Sequence, residues 1–66
     1  MEDNIDVHFA RAFSGVSGER VIKYLRRITI ERTLGVNVSD SELRTLEGQR
    51  AMVHQIENMI LRGQGV

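Results

Sequence analysis

SDSELRTLEGQRAMVHQIENMIL, residues 39–61, is the longest strongly periodic stretch of the chain. Ser39-Asp40-Ser41-Glu42 reads as a capping box, in which the Ser39 hydroxyl accepts from the amide three residues on and Glu42 reaches back to the cap. At about 100° per residue, Leu46, Gly48, Met52, Val53, Ile56, Met59 and Ile60 fall on one broad stripe, while Glu47, His54, Gln55, Asn58 and Arg62 face away. One helix cannot bury so wide a stripe by itself, so the rest of the chain reads as packing for it.

The means of stabilising that packing are limited. The chain has 66 residues, and at this length a domain buries only about 60% of the surface its unfolded form exposes. Small domains in this position add a disulfide, a metal or a partner. Cysteine is absent, which removes disulfides and thiolate zinc sites and shifts the weight to a partner. No cofactor is expected.

Formal net charge is zero, which argues against a module working mainly by neutralising phosphates. The charge is nevertheless segregated. Residues 1–16 set Glu2, Asp3 and Asp6 against Arg11, whereas residues 17–35 set Arg20, Lys23, Arg26, Arg27 and Arg32 against Glu19 and Glu31. No apolar run approaches the ~20 residues of a membrane span, and the acidic N-terminus lacks the basic flank and apolar core of a signal peptide. A soluble protein without a membrane partner is expected.

Proline is absent and five of the glycines, Gly15, Gly18, Gly35, Gly63 and Gly65, sit at punctuation points. Three helices fit between them. The first spans 4–13, capped by Asp3 or Asn4, with Ile5, Phe9, Ala12 and Phe13 on one face and the two phenylalanines assigned to the core. Ser14 to Gly18 forms a tight turn, with Ser17 capping the second helix and Val16 as its staple. The second helix spans 18–34, buries Val21, Ile22, Leu25 and Ile28, and stops at Gly35. Its opposite face carries Arg20, Lys23, Arg26 and Arg27, while Ile30 and Leu34 make a short second apolar stripe, to be covered by the first helix or by another protein. The third helix spans 40–61, and residues 62–66 are expected to fray. This is a small three-helix, all-α fold in a single domain, 1–66.

Two residues of the long helix stand out. Gly48 costs roughly 1 kcal/mol relative to alanine inside a helix, and its place beside Met52 and Met59 points to close approach of the second helix. Arg50, at the edge of the stripe, is expected to lay its stem along apolar surface or to pair with Glu47.

Catalytic chemistry finds no constellation. Ser14, Ser17, Ser39 and Ser41 occupy turns or caps, His8 and His54 project from the polar sides of different helices, and the carboxylates fall near helix starts or too far apart to act in pairs. Neither an enzyme nor a small-molecule or metal site is expected. Helix, glycine turn and basic helix also fit a helix-turn-helix, although the second helix lacks the Asn, Gln or Ser base readers such a helix gathers near its start.

Phe9-x-x-x-Phe13, then Gly18 followed by Val21 and Leu25, then Glu47-Gly48-Gln49-Arg50 and Ile56, resembles the small tailed-bacteriophage proteins grouped under a name taken from a Bordetella phage gene product. The resemblance spans Phe9 to Leu61, with Ser17 where the pattern has an acidic residue. It implies a phage protein without an assigned activity, encoded among virion-assembly genes, and it singles out Phe9, Phe13, Gly18, Gly48 and Arg50. The resulting expectation is a non-enzymatic virion or assembly accessory protein in the virion or host cytoplasm. It would dock on phage structural proteins or on itself through Ile30, Leu34, Arg20, Lys23, Arg26 and Arg27. The alternative is a nucleic-acid-binding or regulatory module using the basic face.

Overall fold

A computed structural model describes residues 4–65. The described residues form three helices and no strand: α1 (Ile5–Ala12), α2 (Gly15–Ile28) and α3 (Asp40–Gln64). The long third helix is the spine. The Ser39 hydroxyl accepts from the Glu42 amide at 3.1 Å, which is one half of the expected capping box. Leu46 and Val53 are the buried apolar residues, with Ile56, Met59 and Ile60 half-buried beside them. The stripe is narrower than its periodicity implies, because Gly48 and Met52 stay exposed.

The end of α3 is ordered where fraying was expected. The helix runs three residues past Leu61, to Gln64, because α1 lies against it: Gly63 is buried, and a Cβ there would overlap the Asp6 carbonyl oxygen and crowd Ala10. Beside it, Arg62 Nε donates to Asp6 Oδ2 at 3.1 Å. A residue with no side chain thus lets two backbones meet. Val66 lies outside the described residues.

Asn4 caps α1, its Oδ1 accepting from the Asp6 amide at 3.0 Å; the alternative cap, Asp3, lies outside the described residues. α1 turns Asp6 and Ala10 toward α3, so the face carrying Ile5, Phe9 and Ala12 is not enclosed and no α1 residue is buried. Phe9 and Phe13 are half-buried and stacked on each other, with ring centroids 6.4 Å apart and planes at 16°.

The α1–α2 turn is tighter than the sequence suggests. Gly15 has φ +76°, a left-handed conformation that reverses the chain at once, so α2 starts there rather than at Gly18. Ser17 therefore lies within the first turn instead of capping it, and Val16 is exposed. Ser14 takes the cap position, but its hydroxyl donates back to the Arg11 carbonyl at 2.7 Å. Gly18 is buried because a Cβ there would strike the Phe13 backbone.

α2 also stops six residues short of Leu34, at Ile28. Thr29, buried, donates its hydroxyl to the Leu25 carbonyl at 2.6 Å and leaves helical geometry. Ile30 and Leu34 consequently share no helical stripe. Ile30 sits in the turn after α2, and Leu34 is half-buried beside Arg32, Glu42, Leu46 and Gln49 at the start of α3. α1, at the other end of α3, covers neither. α2 runs antiparallel to α3, with Ile22 near Ile60, Arg26 on Glu57 and Thr29 on Arg50. Only Ile22 and Leu25 of its four expected core residues are partly enclosed, while Val21 and Ile28 remain exposed.

The result is a flattened molecule, 47 × 28 × 14 Å in its principal extents, with a radius of gyration of 14.3 Å. A compact chain of this length has a radius near 11 Å.

Candidate functional site

α2 carries the most distinctive surface. Its inner side places Arg26 on Glu57 of α3, an ion pair of 2.5 Å, and a second carboxylate, Glu31, lies 3.6 Å from the same guanidinium. The hydrogen bond and charge of Glu57 raise the Arg26 pKa above its ordinary value. Arg26 therefore stays charged but is already neutralised, which removes it from the basic face assigned to it by periodicity.

Arg20, Lys23 and Arg27 remain on the outer side without a carboxylate partner among the described residues. Between them Tyr24 is 51% exposed, with the Arg27 guanidinium 5.3 Å over its ring, and Val21 and Ile28 continue the apolar line. This arrangement, three unpaired cations around an exposed aromatic, lines an open concavity together with Arg26 and Glu31. Cation–π contact pre-orders the arginine and the ring without consuming the charge, so the face can hold an anionic group and cover apolar surface at once.

Arg50 fixes the end of that helix. Its Nε donates to the Thr29 carbonyl at 2.8 Å and a terminal nitrogen donates to the Arg32 carbonyl. This differs from the expected stem packing or Glu47 pair: the guanidinium fork spans two backbone oxygens left open where α2 ends. Gly48 likewise departs from expectation, since a Cβ there meets nothing within 4 Å and no helix approaches it.

Residues 9–64 match the pattern of the Bbp19-like phage proteins. The chain belongs to that family. Comparison with curated proteins and with solved structures returns no match. For this Bbp19-like protein, the positions singled out by the resemblance have separable structural situations. Phe9 of α1 stacks on Phe13 just past the helix end, Gly18 admits the Phe13 backbone, Arg50 secures the α2 terminus, and Gly48 is open to solvent.

The residues considered for chemistry are spread apart. Ser14 and Ser39 serve helix termini. His54 Nδ1 lies 3.5 Å from Glu57 Oε1 on the same helix, whereas His8 is on α1. Among the described residues no three His, Asp or Glu side chains are grouped to hold a metal ion, and no helix is long and apolar enough to cross a membrane. Local patterning missed the Arg26–Glu57 and Arg50–Thr29 links because their partners lie 31 and 21 residues apart in sequence.

Proposed function

We propose that this phage protein is a non-enzymatic accessory subunit that docks on a larger protein assembly of the phage, at the portal, the head–tail junction or an internal ejection complex. The observation carrying this reading is the outer face of α2, where Tyr24 is exposed among Arg20, Lys23 and Arg27, with Val21 and Ile28 also exposed on the same helix. Its complement is an acidic surface with apolar relief on a phage structural protein. Burial of the aromatic and aliphatic groups would supply affinity and the cations orientation. The thin core supports the same reading, since Leu46 and Val53 are its buried apolar side chains and so small a centre gains from neighbours.

Quantitative proteomics of purified particles tests it. The protein should appear at a fixed copy number and co-purify with one structural protein, and the R20E/K23E/R27E variant should lose that association. Absence from particles, with no structural protein retained from infected cells, overturns it.

A nucleic-acid-binding module is a second reading, favoured by the Arg27–Tyr24 pair, which offers a stacking plane beside cations. In that case the same triple variant abolishes a salt-dependent DNA affinity. α1 packs on α3 rather than along α2, so recognition would not use the two-helix corner of a helix-turn-helix.

A further inference from the structure

We infer that Glu57 and the acidic protein partner of α2 compete for the Arg26 guanidinium, so that Glu57 holds a further cation in reserve behind the basic face. The competition rests on the docking role of α2 and regulates that same face. Arg26 belongs to both sides of the helix. It lines the outer concavity with Arg20, Lys23, Tyr24 and Arg27, and it also lines the cleft where Ile22 of α2 meets Glu57, Ile60 and Leu61 of α3. A terminal nitrogen lies 2.5 Å from Glu57 Oε2, and Nε lies 3.6 Å from Glu31 Oε2.

The pair is not sealed from water. The Arg26 side chain is 37% exposed, and an ion pair that solvent reaches contributes little because water and salt screen it. A carboxylate arriving from outside offers Arg26 the same charge and the same paired acceptors as Glu57, and the unpaired Arg20, Lys23 and Arg27 favour its approach. Against it stands Glu31, which lines the concavity and adds a second carboxylate beside Arg26. One guanidinium between two carboxylates leaves that corner net negative, so the free protein presents three cations and withholds Arg26. A partner that draws Arg26 outward also loosens α2 from α3 at this point, while Arg50 still holds the helix end. The coupling is reciprocal: whatever weakens the Arg26–Glu57 pair strengthens the partner's binding by the factor with which the partner weakens the pair.

Fluorescence anisotropy with a labelled peptide of glutamate and leucine tests this on the purified full chain. Glu57→Gln should bind the peptide about two- to fivefold more tightly than wild type, the range in which exposed ion pairs act, although it loses an internal contact. Glu31→Gln should shift affinity the same way by a smaller factor, and carries the test if the Glu57→Gln protein does not fold. Glu47→Gln, which removes an equal charge from α3 away from Arg26, should bind as wild type. In an Arg26→Gln background neither Glu57→Gln nor Glu31→Gln should add affinity. Unchanged or weaker binding by folded Glu57→Gln and Glu31→Gln, a gain that persists without Arg26, or a gain seen with a single-stranded oligonucleotide and not with the peptide overturns the competition. If wild type binds the peptide and R20E/K23E/R27E does not, the docking face survives such a result; if the triple variant binds as well as wild type, the docking face and the competition fall together.

Discussion

Arg50 reaches from the middle of α3 to the Thr29 carbonyl, its Nε donating at 2.8 Å across 21 residues of sequence. Since the same guanidinium also donates to the Arg32 carbonyl, one side chain holds both the last turn of α2 and the segment leaving it. Arg50→Met should remove both bonds and leave the Thr29 carbonyl poorly satisfied, costing about 1–3 kcal/mol. Arg50→Lys should recover little, because an ammonium cannot reproduce the fork. Urea unfolding of the three proteins measures the loss; a fully stable Arg50→Lys protein would show that charge alone suffices.

Gly48 should respond in the opposite direction. A Cβ there meets no atom within 4 Å, so Gly48→Ala removes a helix penalty without a clash and should stabilise the isolated protein by about 1 kcal/mol. A thermal melt decides it. Destabilisation would restore the close helix approach that periodicity suggested.

Gly63 tests how α1 is held. Any side chain would collide with the Asp6 backbone, so Gly63→Val should cost about 1–3 kcal/mol through overpacking and lift α1 away from α3. Hydrogen exchange should show faster exchange in residues 5–12 while the centre of α3 stays protected. Unchanged α1 protection would contradict the close approach.

Ion pairing predicts a pH profile. Arg26 and Arg62 both have pKa values raised by hydrogen bonds and charge from Glu57 and Asp6. A group raised on folding stabilises below its unfolded pKa and loses that contribution only as pH climbs through the folded value, which for arginine lies far above neutral pH. These two groups should therefore add no slope to stability between about pH 7 and 9. Glu57→Gln should lower the melting temperature by a similar amount across that window; a deficit that disappears toward pH 9 would assign the effect to another group.

Sequence by itself determined the three helices, the start of α3 at its Ser39 cap, a cap of α1 at Asp3 or Asn4, and the outward placing of Arg20, Lys23 and Arg27 on α2, because each depends on residues within a few positions of one another. Helix periodicity and cap chemistry are local, and so they are legible. Tertiary structure decided where α2 ends, that Gln64 remains helical, that Arg26 is neutralised and that Phe9 lies beside an open face. Those outcomes turn on Arg50 meeting Thr29, Gly63 meeting Asp6 and Glu57 meeting Arg26, contacts between residues 21 to 57 positions apart. An amphipathic pattern states that a face can be buried. Which face is buried, and against what, depends on where two backbones fit together closely.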